Sequence, residues 1–461
     1  MALPPGPRLP AIVQTYLFIK HPLWFFDECL RRYGDVFTIE MVAVGKSVHG
    51  VRPETIREMF IASPDYLHAG EANSIVQPLI GQNSVALLDE DDHARVRRIL
   101  KGPLHGEKMR AHGRTIMDAT RHAIKDWSAG EQHSMLNVMQ DISLEVILRV
   151  VFGITERSAM PEAAKNVLSM VTAYTPSLLV IPPMRRDLGP WSPGGRFARR
   201  RQVVDDWLLG EIASRRKQPD KRRVDVLSAL VLAQEQGEAP LSDKEIRDQI
   251  VTLFVAGQDT TSATLTWAMS LLHANRPVLE RLLSEIETLG ADPDPEQMAA
   301  LPFLGAVCNE ALRAATTVPA AARMPVKRPL RLQGYDIPPG MYVSPNIYLA
   351  HHNPAVYPDP WAFKPERFLE REYSPYEFLP FGGGARRCLG MALSYYEMRL
   401  VLGTILATLR FAADSPEVAP HHLRGMVLVP EDGGMLRVTE RRSARPRRPA
   451  AASDVTASAV L

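Results

Sequence analysis

Cys388 stands in the segment Phe381-Gly-Gly-Gly-Ala-Arg-Arg-Cys-Leu-Gly390, just before a helical pattern that begins near Met391. A cysteine at the start of a helix meets exposed backbone amides and the positive end of the helix dipole, which favour its thiolate. A thiolate binds iron and pushes electron density onto it, which favours cleavage of an O–O bond. Consecutive glycines let the backbone adopt conformations closed to other residues and approach a flat cofactor. Cys29 and Cys308 have no such surroundings and read as small buried hydrophobes. Three widely spaced thiols describe no disulfide framework, and a reducing compartment is the simpler setting.

A second centre is Ala256-Gly257-Gln258-Asp259-Thr260-Thr261, in the middle of a long apolar helical pattern from Ser242 to Asn275. Ser242-Asp-Lys-Glu245 forms a capping box at its start, and Pro277 follows its end. Such a helix spans about 50 Å. A mid-helix glycine costs about 1 kcal/mol, and buried polar side chains cost more unless paired. A local violation of this kind marks a functional site. An acid beside an alcohol can relay protons to a bound oxygen, with Asp259 on the solvent side and Thr260 at the reduced oxygen. The alternative for Thr260 is a hydroxyl that back-bonds to the carbonyl of Ala256.

Other charged pairs share faces. Glu310 and Arg313 are at i and i+3, and His93 and Arg97, at i and i+4, form a cationic clamp suited to a carboxylate. His351 and His352, read as part of an extended segment, point to opposite faces and are structural.

The elements that must hold these groups are mostly helical. A Pro-rich lead-in (1–20) precedes a short helix from Pro22 to Arg32 and a hairpin between Asp35 and Val51. Helical patterns run from about residue 90 to 318, broken at Pro182-Pro183 and at Asp187–Gly195. Strand and turn return over Arg328–Val343, and 351–387 is a long loop of the kind that serves function. The expected class is mainly α (α+β), with one domain over 1–440 and a disordered tail over 441–461. Among 461 residues, 54 basic and 52 acidic ones nearly balance, which gives no argument for nucleic acid. The amino terminus lacks a basic region followed by an apolar stretch, and no window of eighteen apolar residues occurs. A cytoplasmic protein without a membrane span is expected.

Phe381, Gly384, Arg386, Cys388 and Gly390 match Phe-x-x-Gly-x-Arg-x-Cys-x-Gly position by position. With the Ala256–Thr260 segment, Glu310-x-x-Arg313 and Pro365-Glu-Arg367-Phe, the sequence resembles the cytochrome P450 family, soluble bacterial type. The resemblance covers roughly residues 5–440. It implies haem b (iron protoporphyrin IX) buried between two long helices, with Cys388 as axial ligand and Phe381 shielding its sulfur. Gly382 and Gly390 would approach the cofactor, and Ala256 and Gly257 would form the oxygen-binding groove. His93, Arg97, Arg323 and Arg386 would hold the propionates, and Glu310, Arg313 and Arg367 would pin the loop behind the haem. Thr252, Val255, Ala256, Ala320, Ala321, Ala322, Met426 and Val427, with the loop from Ile75 to Leu88, would line the substrate pocket. The stretch Thr175–Arg201 would be a mobile lid.

The implied reaction inserts one atom of O2 into a bulky apolar molecule, such as a terpenoid, steroid or polyketide, by hydroxylation or epoxidation. Electrons would come from a separate ferredoxin or flavodoxin and its reductase, because no reductase domain follows Val438. They would arrive near a patch of Lys101, Lys108, Arg110, Arg386, Arg387 and Arg399 on a monomer. Peroxygenase, isomerase and oxidative-coupling chemistry keep the haem thiolate; the Asp259–Thr260 pair speaks against the first. A non-catalytic haem sensor would need neither that pair nor a large apolar pocket.

Overall fold

The computed structural model describes residues 3–42, 44–175, 178, 181–233, 240–290 and 292–442. The expected tail beyond 442 lies outside them, as do four residues of the expected lid. Elsewhere in that stretch, Pro182–Arg185 form a 3-10 turn and Pro193–Lys217 a helix.

One helix, Asp243–Ala274, organises the fold and is called the central helix below. Its capping box is formed: Ser242 N donates to Glu245 at 2.8 Å and Glu245 N to Ser242 Oγ at 3.3 Å. Its first half, from Ile246 to Phe254, packs into a core with Ile147–Phe152, Val204–Ile212 and Val226–Val231. Its last half, from Leu265 to Leu272, enters a second core with the helices Met135–Val150, Pro302–Ala314 and Met391–Thr408. Ala256–Thr260 lie where one core gives way to the other. The helix hides its polar side chains by bonding them one turn back: Ser262 to Gln258 O at 2.8 Å, Thr264 to Thr260 O at 2.9 Å and Thr266 to Ser262 O at 2.7 Å.

The strands are short and peripheral. Val36–Met41 pairs antiparallel with Gly45–Gly50, as the hairpin pattern predicts, and Tyr342–Pro345 joins the second strand in parallel. The hairpin His421–Arg424/Val427–Pro430 is tied to the central helix by Trp267 Nε1, which donates to Leu428 O at 2.9 Å.

Behind the second core, Glu310 and Arg313 are fully buried. Glu310 accepts two hydrogen bonds from Arg313 at 2.8 Å, one from Arg367 Nε at 3.2 Å and one from Lys364 N at 2.8 Å. Arg313 also donates to His351 O at 3.0 Å and Pro360 O at 2.7 Å, and Arg367 donates to Pro358 O at 3.2 Å. One carboxylate thereby anchors the irregular chain between 351 and 367. The two histidines are not extended, as their sequence suggests. They end a helical turn, Ile347–His351, because Asn346 caps it by accepting from Leu349 N at 3.0 Å. Both are buried; His351 Nε2 takes the N–H of Leu379 at 3.0 Å and His352 Nδ1 pairs with Tyr348 O at 2.9 Å.

Removing one partner from a buried ion pair leaves an uncompensated charge, at a cost of about 3–5 kcal/mol. Glu310→Gln is therefore expected to lower unfolding stability by that amount in a urea titration. A loss below about 1 kcal/mol would mean that the guanidiniums find other partners.

Candidate functional site

The Cys388 segment is shaped by its glycines. Gly382 and Gly384 take left-handed φ values of 63° and 62°. At Gly383 a Cβ would come within 2.2 Å of the Phe60 ring, so only glycine lets this loop close on the helix Pro53–Ile61. Cys388 N then donates to Phe381 O at 2.9 Å, and the chain enters the helix Met391–Thr408 through Gly390. Burial pushes the Cys388 thiol up, while the N–H of Gly390, the Arg97 guanidinium and the N–H of Met391 pull it down. Phe381 packs on Tyr395, their ring centroids 4.9 Å apart. This helix meets the central one where Thr261 Oγ1 lies 3.4 Å from Ser394 Oγ. Ala256 and Cys388 keep accessible surface in this region, so no neighbouring side chain seals either of them.

Basic groups gather around the segment. His93 and Arg97 sit on the helix Glu90–Lys101, and Arg97 Nη2 donates to Arg387 O at 2.5 Å. Arg323 is held in backbone pairing with Val343 and is buried. Burial first, then Arg386, brings the Arg323 guanidinium down to about 10. Burial, with Arg386, Arg97 and Arg323 beside it, brings His93 down to about 4. The crowding of cations beside His93 thus favours its neutral ring in the absence of an added carboxylate. Arg386 pairs with Asp89 and donates to the carbonyls of Leu88 and, at 3.2 Å, Val85. Asp89 is rigid because it accepts the backbone N–H groups of Ala69 and Gly70 at 3.0 and 3.1 Å. Asp89 thus pairs with Arg386 and draws on Arg323, while Arg97 and His93 lie close by. Together with a thiol at a helix start and a glycine-rich loop, that donor set fits a haem, whose two carboxylates would meet the excess cations.

On the central helix, Thr260 Oγ1 donates to Ala256 O at 2.7 Å, and Asp259 Oδ1 accepts from Gln140 Nε2 at 3.2 Å. Gly257 turns the other way from Ala256. A Cβ on it would lie 3.1 Å from Ile147 Cδ1, so it is a helix-packing position and not part of the groove expected from sequence.

The expected pocket residues separate. Thr252 is buried and bonds Ser84 Oγ at 2.7 Å and Asp248 O at 2.5 Å. Eight residues of helix rotate it roughly 80° from Thr260, which takes it off the groove. Val427 packs into a core with Leu136, Ala263 and Val429, while Met426 is exposed at the hairpin turn. Ala321 packs toward Phe60 and Ile347, and Ala320 bridges to Asn346. Val255 and Ala256 keep partly open positions beside Thr260.

Glu397 has no place in the sequence reading. It is buried on the helix that follows Cys388, accepting from Ser143 Oγ at 2.7 Å. A lone acid in an otherwise apolar helix was the available signal. Burial pushes its carboxyl up to about 7, with the Ser143 hydrogen bond opposing. An acid whose folded pKa is raised contributes stability below its unfolded value, and that contribution is lost as pH rises through about 7. Glu397→Gln should therefore match the wild type near pH 4.5 and exceed it at pH 8, by about 3 kcal/mol. Equal denaturation midpoints at both pH values would remove this account.

A family model described as Cytochrome P450 matches residues 4–438. The chain is 35% identical over 442 residues to "Putative cytochrome P450 135B1" of Mycobacterium tuberculosis, covering 95% of this chain and 92% of that one. It is 34% identical over 441 residues to "Putative cytochrome P450 138" of the same organism, covering 95% and 96%. Among solved structures, "Retinoic acid bound cyanobacterial CYP120A1" superposes with a TM-score of 0.82 over 96% of this chain and 100% of that chain, at 23% identity, a likeness of fold. Among the described residues no helix is long and apolar enough to cross a membrane.

Proposed function

The chain belongs to the cytochrome P450 family, a family of haem-thiolate monooxygenases, and from that premise we propose that Cys388 ligates the iron of haem b and that the Asp259–Thr260 pair governs proton delivery in oxidation of a bulky apolar substrate. The observation that carries this reading is the cysteine at the start of its helix, supported by two backbone amides and by the Arg97 guanidinium, with Arg323 and Arg386 gathered nearby. When bound, haem supplies the iron at which O2 is reduced and from which one oxygen atom is transferred.

The protein groups then have separable tasks. Arg97, Arg323 and His93 would hold propionate carboxylates, and Arg386 braces the loop through Asp89 while adding its charge. Phe381, held by its packing on Tyr395, would shield the sulfur from water. With its hydrogen committed to Ala256 O, Thr260 Oγ1 offers lone pairs and so accepts from a water or a protonated oxygen. Asp259, steadied by Gln140, is the carboxylate from which the proton is resupplied. Val255, Ala256 and Ala320 leave room for a terpenoid, steroid or polyketide skeleton.

Electrons come from a separate ferredoxin or flavodoxin with its reductase. The exposed Lys101, Lys108, Arg110 and Arg387 suit an acidic partner. Arg386 and Arg399 drop out of that patch, since the first pairs with Asp89 and the second donates to Ala299 O at 2.8 Å. The three free thiols accord with work in a reducing cytoplasm, by a single-domain monomer.

Cys388→Ser is expected to abolish the thiolate-type spectrum of the reduced carbon monoxide complex; an unchanged spectrum refutes the ligand assignment. Thr260→Ala is expected to keep consuming reductant and O2 while product falls on the order of 10²-fold and hydrogen peroxide rises. Fully coupled turnover in that variant would remove the role given to Thr260.

A further inference from the structure

The helix Ala11–Lys20 is fastened to the Val36–Gly50 hairpin by its polar side chains. Gln14 Oε1 accepts from Glu40 N at 2.9 Å while its Nε2 donates to Leu9 O at 2.8 Å, and Thr15 Oγ1 accepts from Val42 N at 3.0 Å. Ahead of the helix, Thr38 donates to the carbonyls of Pro4 and Pro5 at 2.8 and 2.9 Å. Leu17 and Phe18 complete the inner face, packing on the core of Phe25, Phe26 and Phe37. The helix is thus held in one rotational setting.

That setting turns apolar residues outward. Ile12, Tyr16 and Ile19, at i, i+4 and i+7, form the opposite stripe and are 65, 60 and 49% exposed. Trp24, on the helix that follows, is 55% exposed, and Val13 and Val42 are exposed as well. Of the sixteen large hydrophobic side chains exposed among the described residues, seven fall between Leu9 and Val42. Scattered apolar exposure is ordinary, but a stripe on a fixed helix marks a surface that something else covers.

The charges choose the occupant. Residues 1–26 contain no Asp or Glu, and the exposed Arg8 precedes the stripe while the exposed Lys20 ends it. The acids beyond are engaged: Glu40 stands opposite Lys46 in the hairpin, Asp27 accepts from the Tyr348 hydroxyl at 2.9 Å, and Glu28 pairs with Arg31. A second copy docked on this face about a two-fold axis would set the same cations against one another, with no acid in the stripe to receive them. A bilayer takes both features, since apolar and aromatic side chains enter the boundary between headgroups and acyl chains while Arg and Lys meet anionic phosphates.

We propose that the helix Ala11–Lys20, with Trp24, is a peripheral docking surface for an anionic lipid bilayer. It lies on the headgroup boundary and does not span, because ten residues of helix rise about 15 Å, roughly half of a hydrocarbon core. The surface stands apart from Cys388 and needs none of the haem chemistry.

The test is co-sedimentation of the full-length, haem-loaded protein with vesicles of phosphatidylcholine alone or with about one third phosphatidylglycerol. The protein should partition at least about tenfold more onto the anionic vesicles, and less so at high salt. Ile12→Ser/Ile19→Ser, at exposed positions outside the packed face, should lower that binding at least about tenfold. Arg8→Gln/Lys20→Gln should bring binding to anionic vesicles down to the level of neutral ones. Acyl chains carrying bromine should quench tryptophan fluorescence, and the quenched part should fall in Trp24→Phe. No partition, or partition that the isoleucine pair leaves unchanged, overturns the surface. Equal partition onto both kinds of vesicle overturns the choice of an anionic bilayer. Dimers in sedimentation velocity that Ile12→Ser/Ile19→Ser dissolves, without vesicle binding, would give the stripe to a second copy instead.

Discussion

Glu310 is fully buried, so its charge must be met inside the protein, and two arginines and a backbone amide do so. Much follows from this one carboxylate. Arg313 and Arg367 spend other N–H groups on the carbonyl of 351, at the end of a helical turn, and on those of 358 and 360 in irregular chain. Both guanidiniums also lie over the Tyr357 ring, at 5.3 and 5.9 Å from its centroid. The irregular chain thereby has its carbonyls met by buried guanidiniums in place of a ladder. The Cys388 loop begins where this chain ends, and the N–H of Leu379 on His351 joins the two.

A second constraint is the length of the central helix. It is too long to belong to one core, so it passes through two, and its polar residues gather where they meet. Thr260, Ser262, Thr264 and Thr266 satisfy their hydroxyls on the helix itself, and Thr264 also meets Thr317 Oγ1 at 3.0 Å. Asp259 and Glu397 have no such recourse. Each takes a side-chain donor from the helix Met135–Val150, Gln140 for the first and Ser143 for the second. That helix also presses Ile147 against Gly257, so one element sets the depth of the groove and the posture of both acids.

The sequence was most readable where function depends on contiguous residues. The ten positions around Cys388, the capping box at Ser242 and the Ala256–Thr260 run each carry their meaning within a few residues, because glycine conformation, capping and helix placement are local. Pairings across the chain had no local signal. Arg386 meets Asp89, 297 residues away in sequence, and nothing near either residue announces it. The direction of a side chain on a helix was legible only in principle. Gly257 and Thr252 lie on the right helix, yet 100° steps carry them to other faces. His93 read as a cation because the sequence shows its neighbour Arg97 and hides Arg323 and Arg386, which with burial favour its neutral ring until a carboxylate is added.

The same crowding of charge links cofactor to fold. Arg97, Arg323 and Arg386 are drawn together by separate structural demands: one by its helix, one by backbone pairing with Val343, one by the Cys388 loop. Their mutual repulsion is a cost that the single carboxylate of Asp89 only partly offsets, and burial lowers the Arg323 guanidinium accordingly. A ligand bringing two carboxylates to this point relieves that cost only in the folded chain, since unfolding scatters the three residues. By mass action it must then stabilise the native state.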